Sequence, residues 1–134
     1  FTSFGYFSDD ENRALLRSIR NSLRSDGVLL LDLFNTLRLP RTLVAEETLE
    51  REHLRIHVRR SLEGSHVVKH LTLWSPDGRR REVTERIRCY TPEAMDHVSA
   101  SVGLVRNDTW GDYAGYPFDP EHSPRWIATY RVKT

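Results

Sequence analysis

Six histidines, one cysteine and several tyrosines are the side chains of this 134-residue chain best suited to chemistry. His53/His57 and His66/His70 are each spaced by four, which would put each pair on one face of a helix or a strand. A zinc site needs further ligands, and no acidic residue recurs near both pairs, so no metal is expected. Cys89 excludes an intramolecular disulfide and a Cys-rich zinc site. It alternates with Val83 and Ile87, the pattern of a buried filler rather than a nucleophile. Tyr6 lies in an aromatic segment, 1–7, whose ring faces suit a cation and whose phenol wants a polar partner. Asp32 and Asn35 close an apolar run, where they would either meet a ligand or cap a helix or loop. Asp112, Tyr113 and Tyr116 fall in a Gly/Tyr/Pro/Asp-rich loop, 111–124. Loops of that length are often functional, although Gly and Pro also build packed turns. For Arg88, Glu85 and Glu93 are nearby surface partners.

Composition bounds these readings. Hydrophobic residues make up 38% and charged residues 29%, the balance of a soluble globular domain. A formal charge of +1 gives no global field toward nucleic acid or anionic membrane. The pairs and triplets of arginine at 59–60 and 79–81 read as solvated strand ends or turns. No apolar stretch is long enough to span a bilayer. One cysteine and no signal peptide suit a reducing cytoplasm. The sequence opens on Phe1 rather than Met, so a preceding portion is expected to be cut away, left out or supplied separately.

The elements that would position these groups are legible from spacing. Ser8 and Glu11 form a capping box ahead of Leu15, Leu16, Ile19 and Leu23 at helical intervals, with Asp26-Gly27 as the stop. Residues 28–33 are continuously apolar, which predicts a strand covered on both faces, as in parallel sheets. Alternation over 50–62, 66–74 and 81–90, with turns at Gly64-Ser65 and Pro76-Asp77-Gly78, predicts a three-stranded antiparallel meander. Thr91-Pro92-Glu93 opens another helix, with Met95, Val98 and Val102 as its stripe and Gly103 as its end. Residues 104–110 and 126–132 read as strands.

Thr2 to Phe7, a capped helix, Asp26-Gly27 and 28–35 together resemble the second half of a class I S-adenosylmethionine-dependent methyltransferase. Residues 88–95 resemble the opening of that family's last helix, and 111–120 with Ser123-Pro124-Arg125 the loop between its final two strands. The resemblance implies an α/β fold, the C-terminal half of a Rossmann-like methyltransferase sheet carrying an antiparallel β lid. Phe1 would end the fourth strand, and 28–33, 104–110 and 125–132 would be the fifth, sixth and seventh, the seventh antiparallel. The first three strands, with their glycine-rich turn and ribose-binding acid, have no counterpart. None of the seven glycines makes a G-x-G.

By the same resemblance, 1–36 and 91–134 form the core and 37–90 the lid. Thr2, Ser3 and Phe4 would touch the cofactor, S-adenosylmethionine, which is held only with the missing N-terminal half. Tyr6 and Tyr90 are the catalytic candidates; Asp32, Asn35, Arg88, Asp112, Tyr113 and Tyr116 would contact a small-molecule acceptor. Phe4 and Phe7 read equally well as core residues. Methyl transfer is an in-line displacement that needs alignment in a dry site. The implied function is methylation of a small molecule, in company with a polypeptide that completes the sheet, the N-terminal half or a second copy. The alternative is a non-catalytic binding or assembly subunit of the same fold.

Overall fold

The first helix begins where its cap says it should. In a computed structural model that describes residues 4–134, the Ser8 hydroxyl accepts from the Glu11 N–H at 3.3 Å and the Glu11 carboxylate accepts from the Ser8 N–H at 3.0 Å. Donation from the Ser8 hydroxyl to the Glu11 carboxylate at 2.7 Å, and then from the Ser8 N–H, holds the Glu11 carboxyl below its ordinary range. Helix α1 runs Asp9–Ser22 and stops at Leu23, which is extended. The stop expected of Gly27 is thus placed four residues too late. Gly27 serves instead where space is short, since a Cβ there would lie 3.0 Å from the Arg24 carbonyl oxygen.

Strand β1 (Val28–Phe34), β6 (Leu104–Trp110) and β7 (Arg125–Val132) form one sheet in the order β1-β7-β6, with β7 antiparallel to both neighbours. Its inner face presents Leu31, Leu33, Trp126, Ala128 and Tyr130, which pack on Leu16 of α1 and on Met95 and Val102 at α3 (Pro92–Ala100). Each large side chain so buried stabilises the fold by about 1.5–3 kcal/mol. The Tyr130 hydroxyl donates to Asp96 of α3 at 2.7 Å. Thr91 caps α3 by accepting from the Ala94 N–H at 3.1 Å.

The outer face corrects one expectation. Residues 28–33 are not covered on both sides: Val28 is 44% and Leu30 61% exposed. Among the described residues no helix lies over that face, and β1 pairs only with β7. The apolar run that reads as a doubly buried strand is therefore half buried here.

A 3-10 turn (Thr36–Arg38) and the short α2 (Leu39–Thr42) lead into the second sheet. It has four strands rather than the expected three: β2 (Glu46–Arg51), β3 (Leu54–Glu63), β4 (His66–Trp74) and β5 (Arg80–Arg88), paired in sequence and all antiparallel. The extra strand arises because the chain reverses at Glu52 and His53, both at positive φ (49° and 73°). Such turns normally carry Gly, Asn or Asp, so sequence alternation runs through this one unbroken.

The two sheets are tied at their common base. The Arg88 N–H donates to the Gly5 carbonyl at 2.7 Å, and the Thr36 hydroxyl donates to the Tyr90 carbonyl at 2.9 Å. Gly5 sits at φ +112°, and a Cβ there would strike the Arg88 carbonyl oxygen. Only glycine lets the loop lie this close to β5.

Candidate functional site

Where the base of the lid meets the core there is an open groove of about 470 Å³. Tyr6, Phe34, Leu39 and Leu43 line it from the core and α2. Arg60, Val67, Lys69, Glu85 and Ile87 line it from the lid. The walls are apolar, and the charges on the lid side are matched: Arg60 meets Glu47 at 2.5 Å and Lys69 meets Glu85 at 3.3 Å. The groove opens beside the C-terminal end of β1, through Phe34. That is the edge where open α/β sheets bind ligands.

Of the two tyrosines singled out from sequence, the structure puts only Tyr6 in this groove, half exposed at 47%. Tyr90 is buried, its ring 5.4 Å from that of Phe4. Its hydroxyl donates to Asp9 at 3.0 Å and accepts from the Asn12 amide at 3.2 Å. Burial, chiefly, pushes that phenol above its ordinary range. Arg88 belongs to the same knot: its guanidinium stacks 4.5 Å over the Tyr90 ring, pairs with Asp9 at 3.1 Å and donates to the Cys89 carbonyl. Neither Glu85 nor Glu93 is its partner. Asp9, in the first turn of α1, thus holds the point where the lid returns to the core.

Asp32 and Tyr113 do meet. The Tyr113 hydroxyl donates to Asp32 at 2.8 Å, Arg125 donates to the other carboxylate oxygen at 2.5 Å, and the guanidinium lies 5.6 Å over the Tyr113 ring. Donation to Asp32, above all, raises the Tyr113 phenol from its ordinary value. This cluster sits on the outer side of β1, apart from the groove lining.

Two other candidates make local hydrogen bonds. Asn35 is buried; its amide donates to the carbonyls of Pro120 and Ser123 at 3.0 and 2.9 Å, while its oxygen accepts from the Leu37 N–H. It clamps the 111–124 loop to the end of β1. Asp112 accepts from the N–H groups of Ala114 and Tyr116 and so closes a turn. Tyr116 projects into solvent. Phe4 is a core residue, and Thr2 and Ser3 lie outside the described residues. The histidine pairs do not converge: His57 meets Glu46 and His70 meets Thr84, and no group of three metal-binding side chains occurs among the described residues.

The lid-side lining, Arg60, Val67, Lys69, Glu85 and Ile87, was not foreseen. A signal existed. Arg60, Lys69 and Glu85 interrupt the apolar side of an alternating pattern, at the register where three strands lie abreast.

By sequence, no family model and no curated protein matches this chain. Its structure does match solved ones. A S-adenosylmethionine-dependent methyltransferase from Clostridium acetobutylicum ATCC 824 aligns with a TM-score of 0.81 at 16% identity, over 100% of this chain and 56% of that one. The CcbJ methyltransferase from Streptomyces caelestis aligns at 0.76 and 20% identity, over 98% and 53%. The sugar N-methyltransferase KedS8 from Streptoalloteichus sp ATCC 53650 aligns at 0.61 and 17%, over 99% and 53%. The chain therefore spans about half the length of these enzymes. Its architecture is the C-terminal half of a Rossmann-like S-adenosylmethionine-dependent methyltransferase fold, with an antiparallel lid inserted.

Proposed function

We propose that this chain is the acceptor-side half of a S-adenosylmethionine-dependent methyltransferase acting on a small molecule. The observation that carries the reading is the groove between lid and core at the C-terminal end of β1, in a fold that follows one half of such enzymes along its whole length.

S-Adenosylmethionine supplies a methyl carbon on a sulfonium. The described residues do not fit it by themselves. The open side of Gly5, where a close backbone approach would cradle a ligand, is filled by the Arg88 carbonyl oxygen. Asp32, the carboxylate on β1 near that strand's end, is engaged by Arg125 and Tyr113. We therefore assign cofactor binding mainly to a complementary polypeptide, with Thr2, Ser3 and the backbone of Phe4 as this chain's own contribution. What this chain does is enclose and orient the acceptor. Apolar walls from Phe34, Leu39, Leu43 and Ile87 exclude water, and the Tyr6 ring and hydroxyl lie at the groove. Tyr6 remains our catalytic candidate. Tyr90 and Arg88 hold the lid in place, and Asp32 and Tyr113 shape the neighbouring rim.

The complementary polypeptide would cover the outer face of β1, where Val28 and Leu30 stand exposed. An unpaired apolar strand of this kind invites pairing. The N-terminal half of the enzyme fits this role best, a second copy next. Among the described residues no helix is long and apolar enough to cross a membrane, and a buried lone thiol suits the cytoplasm.

The test takes the chain as it is isolated from cells, with any polypeptide that accompanies it. Incubated with methyl-labelled S-adenosylmethionine and a small-molecule extract, it should move label into the extract. Leu30→Asp should abolish the association without unfolding the chain. Stable association and ligand binding with no label transferred would favour the assembly subunit instead.

A further inference from the structure

The side of the lid that faces the groove is apolar at both ends and charged between them. Val67 and Ile87 stand opposite each other near the base, and Val58, Leu71 and Val83 form an apolar row farther out. Between these rows lie Arg60, Lys69 and Glu85, with Arg60 directly opposite Lys69 and Lys69 directly opposite Glu85. Like charges directly across a sheet destabilise it. Here each cation is drawn outward, Arg60 to Glu47 at 2.5 Å and Lys69 to Glu85 at 3.3 Å. Arg60 also donates to the Val44 carbonyl at 3.3 Å. The Lys69 ammonium has Glu85 as its sole polar contact among the described residues. The four side chains thus read minus, plus, plus, minus across the lid, and Arg60, Lys69 and Glu85 of the four line the groove, two cations to one anion.

The geometry points to an amphipathic carboxylic acid as the molecule this groove takes, its carboxylate seated between Arg60 and Lys69. This rests on reading the groove as the acceptor site. A carboxylate there would gain charge-assisted hydrogen bonds from two donors and relieve their mutual repulsion. Its hydrocarbon or aromatic body would lie against Phe34, Leu39 and Leu43, in a space of about 470 Å³ that suits a small ligand. An ammonium in the same place would find Glu85 but would face two cations. The charge order therefore selects the sign of the ligand, not only its size.

Calorimetric titration of the full chain, with any accompanying polypeptide and no S-adenosylmethionine, decides this. The probes are phenylbutyrate, phenylbutanol and phenylbutylamine, which share a body and differ in charge. The acid should bind roughly tenfold tighter than the alcohol, and the amine should bind least. Lys69→Gln should erase the preference for the acid, and Lys69→Arg should retain it. Glu85→Gln should tighten acid binding by removing the competitor for Lys69, an effect that mere structural damage would not produce. Thermal melts of each variant show that the lid is intact. Equal or tighter binding of the amine, no binding of the acid, or an unchanged preference in Lys69→Gln would overturn the proposal. Because no methyl donor is present, a failed methyl-transfer assay leaves this result standing. Label transfer to some other acceptor, with the acid unbound, would sink this proposal alone.

Discussion

The two sheets are both antiparallel, yet they are held by different forces. The core sheet has one face sealed by Leu16, Met95 and Tyr130 and the other left with Val28 and Leu30 in solvent. The lid sheet has its four strands paired in unbroken register over nine residues between β3 and β4 and again between β4 and β5, and it is edged by ion pairs such as Arg86–Glu63 and Arg60–Glu47. Backbone ladders and solvated ion pairs add little individually; buried aromatic area adds much. The lid buries Val58, Val67, Val68 and Ile87, but the larger apolar cluster belongs to the core, which therefore carries the greater share of this chain's stability. The lid carries less energy and more of the groove.

The comparison is most severely tested at Trp126, which is 1% exposed and meets Tyr130 edge-on at 6.5 Å. Trp126→Ala should cost about 3–5 kcal/mol in denaturant unfolding. A loss no larger than that from truncating a lid residue such as Leu73 would break the distinction. Next comes Asn35→Ala, which strips two hydrogen bonds from the 111–124 loop and one from Leu37. About 2 kcal/mol is expected, because buried carbonyls are left unpartnered, with faster amide exchange near Ser123.

A pH titration gives the third test. Burial above all, and then donation to Asp96, pushes the Tyr130 phenol far above its ordinary value of 10.0. The folded state therefore keeps a proton that the unfolded chain gives up. Its stabilising contribution is complete below pH 10 and is lost as the pH climbs beyond it, by up to about 1.4 kcal/mol per unit. Tyr130→Phe should shallow that alkaline fall; an unaltered slope between pH 10 and 11 would assign it elsewhere, Tyr90 first. The smallest effect is expected in the lid, for Arg55→Ala. Arg55 stacks 4.6 Å from the Trp74 ring at the surface, and about 0.5 kcal/mol should be lost. A loss above the Asn35 value would mean that the lid is not the weaker partner.

How far this could be read from sequence depended on whether a feature was local. The Ser8–Glu11 box and Thr91 each act within one turn, and both helices start where those residues put them. The three core strands fall where the resemblance puts the fifth, sixth and seventh, and the last of them, β7, is antiparallel as it implied. The lid's first hairpin was hidden because Glu52 and His53 take a left-handed backbone that their identities do not advertise. The exposure of Leu30 was hidden for a different reason: an apolar residue in a strand reports what the strand could bury, not what is present to bury it. At the site, Tyr6 lies in the groove and Tyr90 turns inward, since its hydroxyl finds Asp9 and Asn12, partners 81 and 78 residues away. The Arg60–Lys69 pair shows only when β3 and β4 are laid in register.

One feature of the core sheet bears on how it is made. β7, which bonds to both β1 and β6, is the last of the three strands to be synthesised. Among the described residues, β1 has no neighbour in this sheet until Arg125–Val132 has left the ribosome, although Val28 was made almost a hundred residues earlier. The lid pairs each strand with the next and can form as it emerges. Closing the β1–β7 contact carries the entropy of a long loop and should be slow. During that interval the apolar run of β1 is available to any other strand, so the order of synthesis leaves the core sheet open longest to a partner chain or a chaperone.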